Sequence, residues 1–168
     1  METPQPLFLP FSGCFDKYLW HRKVSGMNKQ EWAERQQQIA TIIKWQPTHA
    51  ITFNTYQHLS KNDLERLLHA FERETNKIIW GNRSRDPWFR NRWVHYFERE
   101  KGNTHSHSFV CLHTEHELKF FQHARFIWRN INNNLTNKRD VAQLWIDTYS
   151  DAAAVYGTKN ISPIETFA

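Results

Sequence analysis

The amino-acid sequence predicts an α+β fold, with a central antiparallel sheet and helices packed on it. Three observations carry that expectation. The chain has 168 residues, about one domain's worth. Short stretches that alternate apolar and polar side chains stand between longer ones whose apolar residues return every three to four positions. Gly, Pro and Asn gather between these stretches, where the chain must turn.

Taken in order, residues 1–28 contain several prolines, show no period and are expected to lie as an arm on the body. From Asn28, NKQEWAERQQQIATIIKW sets Trp32, Ile39, Ile42 and Ile43 among polar residues, a helix that Pro47 ends. Residues 1–47 thus read as an N-terminal arm and helical extension, and 48–168 as the body of the domain. THAITFNTY (48–56) alternates Ile51 and Phe53 against Thr52 and Asn54, a strand. Ser60 with Asp63 three residues on makes a capping-box variant, and Leu64, Leu67, Leu68 and Phe71 form a helical stripe to about Ile79. Residues 80–91 have no period and form a loop. RWVHYFERE (92–100), the turn KGNT and HSHSFVCLH (105–113) form a β-hairpin. Thr114 caps a helix over 115–131, with Leu118, Phe121, Phe126 and Ile127 expected inward. The Asn-rich NINNNLTNKRD reads as a loop, VAQLWID (141–147) as the last strand, and SDAAAVYGTKN as a short helix capped by Ser150 or Asp151. From Thr48 the order is β-α-β-β-α-β and a final helix, the ferredoxin-like split βαβ arrangement with two helices on one sheet face.

Composition narrows the function classes. Apolar residues make up 39% and charged residues 23%, near the average for a soluble protein, so disorder is not the main state. No apolar run reaches membrane-spanning length, and the first residues lack a signal-peptide pattern. Cys14 and Cys111 are too few for a disulfide framework, so a reducing, cytoplasmic setting is expected. With 5 Gly and neither GxxxxGK[ST] nor GxGxxG, a nucleotide-cofactor site has no support. Net charge is +5 and aromatics reach 15%, including 8 Trp and 12 Phe. Surplus cations beside many flat rings suit a surface that neutralises phosphates and stacks bases, although rings also fill cores.

Three groups of residues could carry chemistry. His105 and His107, at i and i+2 of a strand, project from one face, with Glu98 and Glu100 on the partner strand. Two imidazoles and a carboxylate suit Mn²⁺, Zn²⁺ or, less well, Mg²⁺; the plainer alternative is a solvated strand face. Tyr156 and Lys159, at i and i+3 of a helix, bring a phenol beside an ammonium, which favours the phenolate a nucleophile needs. Alone, such a pair is usually only a surface aromatic beside a base. In WGNRSRDPWFRNRW, Trp80, Trp88, Phe89 and Trp93 interleave with Arg83, Arg85, Arg90 and Arg92. That suits single-stranded nucleic acid, with stacking at ~1–3 kcal/mol per base. Equally, the tryptophans could anchor the loop.

In this order the motifs resemble those of the HUH endonucleases, specifically the single-tyrosine rolling-circle replication initiator (Rep) proteins of plasmids, phages and small circular-DNA viruses. The resemblance runs from Ile51 to Asn160. ITFNTYQ resembles the first motif, with Phe53, Thr55 and Tyr56. FEREKGNTHSHSFVCL resembles the second, placing Glu98, His105 and His107 at the metal-ligand positions, with Glu100 sharing Glu98's face. AAVYGTKN resembles the third, placing the nucleophile at Tyr156 and its assisting lysine at Lys159. One residue departs from the pattern: Ser106 stands between the histidines where an apolar residue is usual.

The resemblance implies a sequence-specific endonuclease and strand transferase acting on single-stranded DNA at a replication origin through a 5′-phosphotyrosine, with Mn²⁺ or Mg²⁺ as cofactor. It implies DNA contacts by Thr55 and Tyr56, to which the composition of the loop adds Arg83, Arg85, Trp88, Arg90 and Arg92. With no phosphate-binding motif, no nucleotide cofactor is expected, and any helicase is expected on a separate chain or a further C-terminal part. Tyr149, seven residues before Tyr156, is the second-ranked nucleophile, since it lacks a lysine at +3. A single-tyrosine HUH transposase and a non-catalytic single-stranded nucleic-acid-binding module are the rival readings. A zinc-stabilised structural domain fits less well, because Cys14 and Cys111 lack metal-ligand spacing.

Overall fold

All four stretches of two-residue alternation become strands, and three of the four helical stripes keep their phase. The computed structural model describes residues 29–55, 59–100, 103–136, 143–158 and 163–164. In chain order these form α1 (Lys29–Trp45), β1 (His49–Asn54), α2 (Lys61–Trp80), two short 3₁₀ turns (Gly81–Arg85 and Pro87–Phe89), β2 (Arg92–Glu100), β3 (Asn103–Cys111), α3 (Thr114–Thr136), β4 (Gln143–Thr148), α4 (Asp151–Gly157) and β5 (Pro163–Ile164). The expected arm over 1–28 lies outside the described residues. Among the described residues no helix is long and apolar enough to cross a membrane.

The sheet has the order β4-β1-β3-β2-β5, and every neighbouring pair is antiparallel. β1 and β2 therefore run parallel with β3 between them, as do β3 and β4 with β1 between. This is the split βαβ arrangement that the element order predicts. The two crossover helices α2 and α3 cover one face. Leu64, Leu67, Leu68 and Phe71 of α2 meet Ile51 and Phe53 of β1, Val110 of β3 and Leu144 of β4 in a single apolar core. Ser60 caps α2 as its spacing predicts, its Oγ accepting from the Asp63 N–H at 3.1 Å. Gly81 ends the helix at φ +57°, a conformation glycine adopts without steric penalty.

Helix α3 departs from the expected phase and length. Leu118 and Phe126 stay 69% and 65% exposed and Phe121 is also exposed, while Phe120, Ala124, Ile127 and Trp128 are buried. Both stripes have helical spacing. The buried one places Trp128 against Phe53, rings 4.8 Å apart and nearly perpendicular, in a cluster that also holds Phe71 and Trp93. α3 also continues through the Asn-rich stretch to Thr136, where a loop is expected. Ile131 packs against the core, which offsets the roughly 0.7 kcal/mol that an Asn costs in a helix.

The opposite face of the sheet is covered too. Ile42 of α1 and Ala154 of α4 pack with Tyr96 and Phe109, so the N-terminal helical extension forms a second layer on the sheet. Burial pushes the Tyr96 phenol up to about 12.

One polar chain crosses the first core. His95 is buried, its Nδ1 2.6 Å from Ser108 Oγ and its Nε2 2.5 Å from Glu72 Oε1, and Ser108 Oγ lies 3.0 Å from Ser106 Oγ. Ser106 therefore finds a hydrogen-bond partner inside the core, which accommodates its hydroxyl there.

Candidate metal centre and the tyrosine beside it

The β2–β3 register decides which side chains meet. Glu98 stands directly across from His105, and Tyr96 across from His107. Alternation then puts Glu98, His105 and His107 on the sheet face opposite the main core. Glu98 Oε2 lies 2.9 Å from His105 Nε2 and 2.8 Å from His107 Nε2. The two imidazole rings are 5.1 Å apart and almost perpendicular. Glu98 is only 2% exposed, and a carboxylate so enclosed needs a charged or hydrogen-bonding partner.

One ligand atom from each of Glu98, His105 and His107 falls within 4.8 Å of the others, so this group could hold a divalent ion. The donor set fits one: two neutral imidazole nitrogens and one carboxylate oxygen converge and leave further coordination positions open. Thr52 of β1, paired with His107 in register, sets its Oγ1 3.1 Å from His107 Nδ1. A Nδ1–H donated to that oxygen leaves the Nε2 lone pair facing Glu98 and the ion position. Thr52 was not singled out from the sequence, because cross-strand register is what brings it there.

Tyr156 sits at the end of α4 with its ring 5.1 Å from the His107 ring at 78°, and it is 56% exposed. Two local features of the sequence bring it so close. Ser150 caps α4, its Oγ accepting from the Ala153 N–H at 3.3 Å, and the small Ala154 is buried against the sheet. Next to the tyrosine, a Cβ on Gly157 would stand 3.0 Å from Phe109 Cζ and 3.2 Å from His107 Cβ. With any other residue there, Phe109 or His107 would have to give by a few tenths of an ångström for the helix to lie as close.

Tyr149 is placed very differently. Its ring meets Phe109 edge-on at 6.0 Å and its hydroxyl donates to Asp151 Oδ1 at 3.2 Å. Burial and the Asp151 carboxylate both push its pKa well above that of an ordinary tyrosine. Its backbone N–H bonds the Thr48 carbonyl, at the end of β1 away from the histidines. The second-ranked nucleophile is therefore neither activated nor adjacent to the metal group.

Thr55 is fully buried, and its hydroxyl donates to the Thr104 carbonyl at 2.7 Å. It ties the end of β1 beside His105, which corrects the expectation that it contacts DNA. Tyr56 and Lys159, and the side chain of Glu100, lie outside the described residues.

The Arg-Trp segment divides. Trp93 is buried and Trp80 packs on the core, so these two anchor it. Trp88 is 88% exposed, Arg83 lies 5.4 Å over the Phe89 ring, and Arg90 donates to the Ser84 and Arg85 carbonyls. Arg85 and Arg92 are exposed as well. Arg92 and Glu98 are six positions apart on β2, about 20 Å. The segment and the metal group thus sit at opposite ends of β2. Nearer the metal group, Trp145 of β4 pairs with Thr52, shares its face and is partly exposed.

Compared with known protein families, curated proteins and solved structures, the chain has no match.

Proposed function

We propose that this chain is a metal-dependent, single-stranded DNA endonuclease and strand transferase of the HUH single-tyrosine class, nicking a replication origin to initiate rolling-circle replication. One observation carries the reading: the exposed phenol of Tyr156 lies against His107, within a buried Glu98–His105–His107 group whose donor atoms converge. Two imidazoles with one carboxylate favour Mn²⁺ over Mg²⁺. A divalent ion held there would draw charge from a phosphodiester and offset the charge of its pentavalent transition state.

The chain's own residues supply the rest. The Tyr156 oxygen attacks phosphorus, the P–O3′ bond breaks, and the departing oxygen takes a proton to become a free 3′-hydroxyl. The 5′ side stays linked to Tyr156 as a phosphotyrosine; the phenol proton passes to solvent, with the Lys159 ammonium favouring the phenolate. Because that link keeps the phosphodiester energy, a second 3′-hydroxyl reverses the step and reseals a strand without ATP. Trp145, on the same face as the histidines, offers a stacking platform for an unpaired base, and the net charge of +5 favours the backbone.

The test is a denaturing gel of the protein with single-stranded origin-like oligonucleotides and Mn²⁺, with and without EDTA, beside Tyr156→Phe. The expected result is a band heavier by an oligonucleotide fragment, lost with EDTA and lost in Tyr156→Phe. DNA binding without any adduct would replace this reading with the non-catalytic binding module.

A further inference from the structure

A seven-residue helix cannot hold its own position in water, and its last carbonyls lack partners within the helix. In α4, Thr158 takes up the Ala154 carbonyl with both its N–H, at 3.2 Å, and its hydroxyl, at 2.9 Å. The Val155 carbonyl, which belongs to the peptide leading into Tyr156, is met from a distant part of the chain. Arg35 of α1 donates its Nη2 to that oxygen at 2.9 Å, while the Thr158 hydroxyl reaches it only at 3.4 Å.

We infer that Arg35 is a positioning residue for Tyr156, latching the N-terminal helix onto the last turn of the helix that carries the tyrosine. The inference rests on the reading of Tyr156 as the reacting group. Arg35, Ile39 and Ile42 lie at i, i+4 and i+7, along one stripe of α1. Ile39 and Ile42 are buried, and Ile42 packs in the cluster that holds Ala154. The stripe thus seats α1 on the sheet and delivers a cation to the C-terminal end of α4, where the helix dipole favours one.

The arginine is held there against its own hydration: burial depresses the guanidinium pKa below its usual value. On the other side of the tyrosine, Gly157 rests against Phe109 and His107. Tyr156 is therefore bracketed by two fixed neighbours, one set by α1 and the other by β3, while its own ring stays open.

The test uses the full chain with Arg35→Met, which keeps the apolar stem and loses the donor, and with Arg35→Lys. NMR of ring-labelled tyrosine, with the Tyr156 signal identified through Tyr156→Phe, reads the contact with the His107 ring. Arg35→Met is expected to lose most of that cross-relaxation and to slow adduct formation at least tenfold, since displacement by about an ångström at a reacting centre costs on the order of a hundredfold. KM for the oligonucleotide and Kd for Mn²⁺ should stay within twofold, and Arg35→Lys should recover part of the rate. If Arg35→Met does not fold, Arg35→Gln is read the same way, with the same loss expected. Retention of the His107 contact in a folded variant overturns the inference. Absence of adduct in the unsubstituted protein overturns the nuclease reading instead, while the NMR contact still judges Arg35.

Discussion

A carboxylate as enclosed as that of Glu98 loses most of its hydration, and its Oε2 meets two imidazole nitrogens, His105 Nε2 and His107 Nε2. An ion held there would take one donor atom from each of the three groups, which makes metal affinity the sharpest readout at the scale of single residues. Mn²⁺ at about a hundred times its Kd should raise stability by ~2.7 kcal/mol, seen as a higher Tm. Glu98→Ala should abolish that rise. Thr52→Val should weaken Mn²⁺ binding about 10–100-fold by calorimetry, with Thr52→Ser close to the original, because the hydroxyl 3.1 Å from His107 Nδ1 holds the ring with its Nε2 toward Glu98. The two tyrosines separate on the same scale. Tyr149→Phe should leave the adduct rate within about threefold, since that phenol is committed to Asp151 and its pKa is raised. Tyr156→Phe should remove the adduct altogether.

At the scale of elements, α4 illustrates two effects opposing each other. Glycine within a helix costs about 1 kcal/mol relative to alanine, so on propensity alone Gly157→Ala would stabilise. The added methyl would stand 3.0 Å from the ring of Phe109, which is itself buried and cannot swing aside. Gly157→Ala is therefore expected to lift the tyrosine off His107 and lower strand transfer at least tenfold, with metal binding little changed; full activity in that variant would refute the packing argument. Most elements were legible from period and capping: Ser60 caps where its spacing predicts, Ser150 is the one of the two expected cap candidates that caps α4, and β2 spans 92–100 as read. α3 was misread in phase because Leu118, Phe121 and Phe126 share helical spacing with the stripe that is buried. What separates the two stripes is the fit of Trp128 and Phe120 among Phe53, Phe71 and Trp93, and no local pattern encodes that.

Across the whole molecule, Arg92, where the arginine-rich segment enters β2, and Glu98 of the metal group are about 20 Å apart along the strand. A single strand engaging both must extend over several nucleotides, so the segment should govern affinity and not chemistry. Trp88→Ala should cost ~1–3 kcal/mol of oligonucleotide binding. Arg85→Ala should flatten the log–log salt dependence by about 0.7 if it meets one phosphate. Both are read by binding titrations at several salt concentrations, with the adduct rate at saturating DNA unchanged. A fall in the saturated rate would place the segment at the reacting end of the sheet.

By itself the sequence determined the element order, and through it the split βαβ topology, because two- and three-to-four-residue periods are local properties of the chain. It also determined which side chains could ligate, since His105 and His107 share a face of any strand. The tertiary structure alone decided that Glu98 meets both of them, that Thr52 holds one, that Thr55 is enclosed, and that α1 braces α4 through Arg35. Those are contacts between residues 7 to 120 positions apart. Register and layer packing create them, and neither leaves a periodic trace in the chain.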